Sequence, residues 1–299
     1  MDIISLFQGG TKNLEQKRAE AEVSKQGVLR VGSCGALVKG NVLGTCHRIA
    51  LARLIGLQEP INTAKRAIFD SGEANEYVWL RALQAEGNYQ VWHDAAIPDQ
   101  FKIRWHTDGN LGTGTPDILL GVDDHPVIGI ELKVVESIQS ASGLLLDKKP
   151  KVDNLLQAAH YSMRLGIPFV LVYTFNGTGD WPYWAIKKHS IPRGSKVSPF
   201  KMQFLVEWKE TGLTWTRADG VVHNLPIQQS NIEDYYKLLL EMKDQKDLYL
   251  RYPSIEADGS NMPFDKCAYC SISDACSEYD TKGEYDLWVD RVRQLWQNR

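Results

Sequence analysis

The 299-residue chain carries no cysteine between Cys46 and Cys267, no apolar run of membrane-spanning length, no internal repeat and no Gly-x-x-x-x-Gly-Lys-Ser/Thr loop. Each absence narrows the reading. A bilayer-crossing helix needs about 20 consecutive apolar residues. Met1 to Gly10 is too short and too weakly apolar for an export signal, so a cytoplasmic protein with no membrane partner is expected. Without the phosphate loop, a built-in ATP motor is not expected. Excess charge of one sign is also lacking: 34 lysines and arginines against 37 acids leave a formal net charge of -3. That excludes a uniformly basic nucleic-acid coat but not a local basic groove. Five cysteines, an odd number with no export signal, fit a metal site better than a disulfide framework.

What is present is enough apolar residue, 43%, to bury a substantial core as one large domain or a core with appendages. Segments 1–62, 63–230 and 231–299 suggest an N-terminal piece, a core and a helical C-terminal piece, intertwined as one unit. Asn13 to Lys25 reads as an exposed helix or a mobile stretch. Helical spacing covers Cys46 to Leu57 and Thr63 to Glu86, with Gly87 closing the second. Short strands are expected after Val91, with Gly109, Gly112 and Gly114 marking a turn. The run at Ile118 to Leu120 and the strand Val127 to Val135 flank the turn Asp123 to Pro126 as a hairpin. Asp153 to Leu165 reads as a helix stopped by Gly166 and Pro168, and Phe169 to Phe175 as a buried strand. Trp181 to Trp184, Phe200 to Trp208 and Leu213 to Val222 read as further strands, and Ile232 to Leu250 and Tyr285 to Trp296 as helices.

Glu131 and Lys133 stand two residues apart in the strand Val127 to Val135, so their side chains leave one face. The flanking Val127, Ile128, Ile130, Leu132, Val134 and Val135 suggest burial on both sides, where a carboxylate and an ammonium are expensive without metal or partners. Asp117, after Gly114-Thr115-Pro116, can bring a second carboxylate to the same cation, as phosphodiester cleavage requires. The plain alternative is a salt-bridged pair on a solvent-facing strand, since Glu-x-Lys alone is common.

Pro116-Asp117, a turn, then Glu131-Leu132-Lys133 in an apolar strand resembles the core of the PD-(D/E)XK nuclease superfamily. Gln157 and Tyr161, four residues apart on the following helix, resemble the Gln-x-x-x-Tyr signature of its RecB-like branch, which includes the nuclease domains of RecB and AddB and the CRISPR-associated iron-sulfur exonucleases. Gly72 to Glu76 occupies the place of that branch's Gly-x-x-x-His/Glu element, with Glu73 as a competitor to Glu76. The resemblance implies an α/β restriction-endonuclease-like core, a central mixed sheet flanked by helices, with helical N- and C-terminal segments joined by a metal cluster. It implies that Asp117, Glu131 and the carbonyl of Leu132 hold Mg²⁺ or Mn²⁺, with Glu76 contacting metal directly or through water. Lys133 would position the attacking water, Gln157 and Tyr161 would face the active site or a phosphate, and products would carry 5′-phosphate and 3′-hydroxyl ends.

Cys267, Cys270 and Cys276 place three sulfurs in what reads as one short loop and turn, and a fourth must come from elsewhere. Four thiolates suit Zn²⁺ or a 4Fe-4S cluster, and spacing alone does not separate them. Cluster-bearing RecB-like nucleases pair a lone early cysteine with a late Cys-x2-Cys-x5-Cys triplet. That resemblance implies a 4Fe-4S cluster on Cys46, Cys267, Cys270 and Cys276, with Cys46-His47-Arg48 in place of Cys-Pro-Arg. Cys34 is then a structural thiol, or the fourth ligand in place of Cys46.

Lys148, Lys149 and Lys151, before the Gln157 helix, are candidate phosphate contacts; so are Lys187, Lys188, Arg193 and Lys196, for which a solvated loop is an equal reading. Aromatic residues between Tyr173 and Trp184 can stack on unpaired bases or pack the core. The expected function is a Mg²⁺- or Mn²⁺-dependent DNA exonuclease or end-processing enzyme. Alternatives are a DNA-end-binding recombination module with vestigial cleavage and a sequence-specific endonuclease of the same fold. Similar small nucleases occur in CRISPR adaptation and in viruses of prokaryotes, so a recombination or CRISPR partner, or self-assembly, is open.

Overall fold

The computed structural model describes residues 27–57, 63–225, 227–249, 254–255, 267 and 270–297. The segment Asn13 to Lys25 lies outside them. The described chain opens with three short strands that the residue pattern did not announce: β1 (Leu29–Arg30), β2 (Gly35–Val38) and β3 (Asn41–Gly44). Cys46 caps α1 (His47–Leu54), which stops short of Leu57. Helix α2 (Thr63–Glu86) has the expected bounds, and Gly87 follows at φ +74°, a left-handed conformation that glycine adopts without steric cost.

The next strands are β4 (Gln90–His93), β5 (Ile103–Thr107), β6 (Asn110–Gly114), β7 (Ile118–Val122) and β8 (His125–Val134). Of the three glycines expected to mark a turn, Gly109 alone does so, at φ +77°. Gly112 and Gly114 lie inside β6, where close packing demands them: a Cβ on Gly112 would run into the Trp105 ring, and one on Gly114 into Val31 and Tyr161. The β7–β8 hairpin forms as expected. Asp123 and Asp124, both at positive φ, make its two-residue turn, and strand β8 begins at His125 rather than Val127.

After β8 come α3 (Ile138–Asp147), which the pattern did not predict, α4 (Val152–Leu165) and β9 (Phe169–Phe175). Gly166 at φ +68° ends α4 as read from the sequence. The strand expected at Trp181 to Trp184 is absent. A short β10 (Gly179–Asp180) precedes it, and Pro182, which has no N–H to give to a ladder, caps α5 (Tyr183–His189) instead. β11 (Lys196–Val197) pairs with β10, and β12 (Phe200–Lys209) follows. The single strand expected over Leu213 to Val222 is two, β13 (Gly212–Arg217) and β14 (Val222–Leu225), folded back through Gly220 at φ +84°. Helix α6 (Gln229–Gln245) starts earlier and ends sooner than Ile232 to Leu250, terminated by Lys246 in the left-handed conformation. β15 (Ser254–Ile255), α7 (Ser273–Lys282) and α8 (Tyr285–Gln297) complete the described chain.

The fold is mixed α/β. A seven-stranded sheet runs in the order β14-β13-β12-β9-β8-β7-β4, with β8 and β9 parallel and the other neighbours antiparallel. Alternation along the strands separates two faces. One carries Ile118, Leu120, Ile130, Leu132 and Val172, covered by Trp79 and Leu83 of α2, spaced four apart on one helix face. The other carries Leu171, Tyr173, Phe204, Val206 and Trp215, part of a large core that α4 and α6 share. That core also draws in Leu43 and Leu51 from the N-terminal segment and Cys276, Trp288 and Val292 from the C-terminal one, so the three expected segments share one interior.

His160 of α4 has no solvent exposure. Arg164 Nε donates to its Nε2 at 3.2 Å, while Nδ1 faces Tyr236 Oη at 3.3 Å and Cys34 Sγ at 3.5 Å. Burial, then the Arg164 charge, push its pKa down to about 3. The folded state therefore keeps it neutral where the unfolded chain binds a proton. Its contribution to stability is complete above about pH 6.5 and is lost as pH falls towards 3, on the order of a few kcal/mol by pH 4. Thermal melts from pH 7 to pH 4 are expected to show this loss, and a His160→Gln variant a flatter profile.

Candidate active site

Asp117 and the pair Glu131 and Lys133 come together as the residue spacing predicted. Register sets this: Ile118 pairs with Ile130, so Asp117 falls beside Glu131 on the neighbouring strand. Glu131 and Lys133 pair with Leu171 and Tyr173 and share their face of the sheet. Glu131 has no solvent exposure, which rules out the solvent-facing strand as its setting. Lys133 Nζ donates to Glu131 Oε1 at 2.5 Å, and Glu131 Oε2 is buried without a hydrogen-bond partner among the described residues. The Leu132 N–H donates to Asp117 Oδ2 at 2.7 Å, fixing that carboxylate against the neighbouring strand.

Glu76 joins from α2. Its carboxylate lies within electrostatic range of Asp117 and Lys133, whereas Glu73, one turn earlier, is exposed. His93, the last residue of β4, places Nε2 3.3 Å from Glu76 Oε2. The sequence reading missed His93, because a lone histidine at a strand end carries no pattern; the β4–β7 register pairs it with Ile118, and α2 docked on that face brings Glu76 to it.

The electrostatics of the cluster have one direction. Burial and then the Asp117 charge push Glu131 up to about 8. Burial raises Asp117 against the opposing pull of Lys133 and the Leu132 N–H, and burial with Asp117 raises Glu76. Burial alone would lower Lys133, but Glu131 and Asp117 outweigh it and its pKa rises. Acids and base alike hold protons more tightly than usual, the mark of desolvated negative charge in excess of positive. Three carboxylates with one unpartnered buried oxygen suit, by donor chemistry, a hard dication. Among the described residues no three His, Cys, Asp or Glu side chains already surround one ion position, so a shared ion requires side-chain movement.

Tyr161 and Gln157 lie on the face of α4 turned to this cluster and hydrogen-bond to each other. Tyr161 Oη donates to the Thr115 carbonyl at 2.9 Å, two residues before Asp117, and its ring stacks on Phe169. Its place is that of a buttress for the turn carrying Asp117. Lys148 caps α3 and lines a cavity of about 460 Å³ with Trp79, Phe200, Lys201, Met202 and Arg217. Trp79, which lines it, sits on α2 one turn beyond Glu76, and Lys201 Nζ stands 4.9 Å over the Trp79 ring. Lys149 is half-buried, and Lys151 is engaged locally, Nζ donating to Ser140 Oγ at 3.4 Å. Lys187 and Lys188 fall on α5 rather than on a loop after a strand. Of the aromatic residues considered for stacking, Tyr173 is core, its hydroxyl bonded to Asn154 and the Lys151 N–H, while Tyr183 and Trp184 are exposed.

The cysteines divide. Cys276 is buried, and burial raises its thiol. Arg48, two residues after Cys46 and buried, pairs with Asp280 of α7 at 2.8 Å and donates to the Tyr249 carbonyl at 2.5 Å. Cys276 sits in a helix, not in the loop and turn expected, and the Cys270 N–H bonds the Cys267 carbonyl at 3.2 Å. Cys34 faces His160, Tyr235 and Tyr236 in the core, and burial pushes it up to about 12. No protein-family model matches the chain, and no curated protein is recognisably similar to it in sequence.

Tyr161→Phe is expected to cost about 1 kcal/mol of stability, the worth of one hydrogen bond, in chemical denaturation. Alkylation of the native protein at pH 8 is expected to leave Cys34 unmodified and to reach it after unfolding; equal rates in both states would contradict its placement.

Proposed function

We propose that the chain is a divalent-metal-dependent deoxyribonuclease of the PD-(D/E)XK type and RecB-like branch, acting as an exonuclease or DNA-end-processing enzyme. The observation that carries this reading is the fully buried Glu131, held at one oxygen by Lys133, free at the other and joined by Asp117 from the adjacent strand. A structural ion pair would have no use for two further acids that raise its burial cost. Asp117, Glu131 and Glu76 would hold the ion, with the Leu132 carbonyl as a further oxygen donor. The ion, when bound, supplies Lewis acidity and a water made more acidic. Lys133, held against Glu131, orients that water and meets negative charge growing on the phosphate oxygens. Tyr161 holds the Thr115–Asp117 turn, and Gln157 on the same helix face is available to a substrate phosphate. Lys148, Lys201 and Arg217 along the cavity offer positive charge to the DNA backbone, with Lys149 and Lys151 nearby.

The same reading assigns Cys46, Cys267, Cys270 and Cys276 to a 4Fe-4S cluster, with Zn²⁺ as the other occupant of such a donor set. The Arg48–Asp280 pair, joining the helix that Cys46 caps to the one that carries Cys276, supports a bracing role for such a cluster.

The test is Mg²⁺- and Mn²⁺-dependent hydrolysis of end-labelled single- and double-stranded DNA and of closed circles, by protein purified without oxygen and assayed for iron and zinc. Shortening of linear DNA with intact circles is expected. Defined fragments from circles would favour a sequence-specific endonuclease, and binding of ends without cleavage an accessory module. Asp117→Asn and Lys133→Met are each expected to reduce hydrolysis by roughly 10²- to 10³-fold. Wild-type rates in either would remove the reading.

A further inference from the structure

We infer that the cavity of about 460 Å³ lined by α2, the end of α3 and strands β9 and β12 is a binding site for a nucleoside 5′-phosphate, one base with its terminal phosphate. The inference goes beyond the nuclease reading and does not depend on the carboxylate cluster. Volume sets the first limit. Small-ligand sites run from about 300 to 1,000 Å³, so this one has room for a single nucleotide and not for a run of paired bases. The walls set the second. Trp79, Phe200 and Met202 offer aromatic and apolar surface to a planar ring, while Lys148, Lys201 and Arg217 bring three cations to the same space. Arg217 is paired with Asp219, which also lines the cavity, so two ammonium groups remain for a ligand. A phosphate monoester carries a charge of about −1.5 to −2 at pH 7, the complement of two lysines, whereas a phosphate inside a strand carries one.

Lys201 links the two halves of such a ligand. Its Nζ stands 4.9 Å over the Trp79 ring. A cation–π contact at an open site is weaker than a charge-assisted hydrogen bond, so a bound phosphate draws the ammonium to itself and leaves the ring face to the base. Two polar groups beside the cavity are unmet. Thr174 pairs with Lys201 across β9 and β12, so their side chains share a face, and its buried hydroxyl has no hydrogen-bond partner among the described residues. Trp79 Nε1 is buried and likewise without one. Buried polar groups are nearly always bonded, and two orphans at one cavity point to a polar occupant.

Calorimetric titration of the full chain with dTMP, in chelator so that no metal ion takes part, is the test. dTMP is expected to bind at least tenfold more tightly than thymidine or inorganic phosphate, each of which meets only half of the site. Lys148→Gln and Lys201→Gln, both at exposed positions, are each expected to weaken dTMP about tenfold, the worth of one charge-assisted contact, and to leave thymidine unchanged. Binding of dTMP no tighter than phosphate, or wild-type affinity in both lysine variants, overturns the inference. Competing oligothymidylates separate the two sources of the same group. Displacement of dTMP by a 5′-phosphorylated strand but not by a 5′-hydroxyl one assigns the site to strand ends, and displacement by neither assigns it to free nucleotide; equal displacement by both overturns the monoester assignment. DNA hydrolysis without dTMP binding sinks this proposal alone, and dTMP binding without hydrolysis sinks the nuclease reading alone.

Discussion

A carboxylate with no access to water, in an inner strand of a seven-stranded sheet, is the constraint to which the neighbourhood answers. An isolated charge there would be neutralised rather than tolerated. Lys133 meets part of the need, two residues along the same strand and on the same face. Asp117 and Glu76 then restore the imbalance, and the raised pKa values of the whole cluster record it. A protein selected for stability alone would do better with apolar side chains at these positions. The cluster thus gathers three acids around one ammonium where burial makes charge costly.

Strand alternation makes this arrangement possible. Leu132 and its neighbours Ile118, Ile130 and Val172 are sealed by Trp79 and Leu83, so α2 is anchored by the apolar face of the sheet. That anchoring carries Glu76, one turn before Trp79, to the carboxylates. On the opposite face, the parallel pairing of β8 and β9 requires a crossover, supplied by α3 and α4. Helix α4 thereby lies where Tyr161 can grip the Thr115 carbonyl. One strand thus sends its apolar side chains to hold a helix and its charged ones to the other face of the sheet, and the topology returns a second helix to support the turn that carries Asp117.

The two ends of the described chain are held by polar groups buried at their junction. Arg48 reaches Asp280 and the Tyr249 carbonyl, Tyr235 donates to the Thr45 carbonyl at 2.6 Å, and Asn231 to the Leu37 carbonyl at 2.7 Å. These bonds satisfy backbone oxygens of short strands and loops that secondary structure leaves unpaired. The Arg48–Asp280 pair ties the helix that Cys46 caps to the one that carries Cys276. Cys34, only twelve positions before Cys46, is instead turned into the core beside His160, where burial keeps it a thiol against the opposing pull of the Tyr236 hydrogen bond.

Where a local rule acts alone, the sequence was sufficient. Helix α2 and its closing Gly87, the end of α4 at Gly166, and the Asp123–Asp124 hairpin follow from periodicity and from residues that tolerate positive φ. The Glu131 and Lys133 pair was legible because a period of two admits only one geometry. Pro182 overrode the aromatic run that suggested a strand, and Gly112 and Gly114 answered to Trp105 and Tyr161 rather than to a turn. Helices α3 and α7 escaped notice because short helices take their stability from packing partners that a linear text does not display. The completeness of Glu131's burial, the exposure of Glu73 beside a half-buried Glu76, and the contact of His93 with Glu76 were decided by tertiary structure alone. Each depends on strand register or helix docking, which bring together residues whose spacing along the chain holds no trace of their contact.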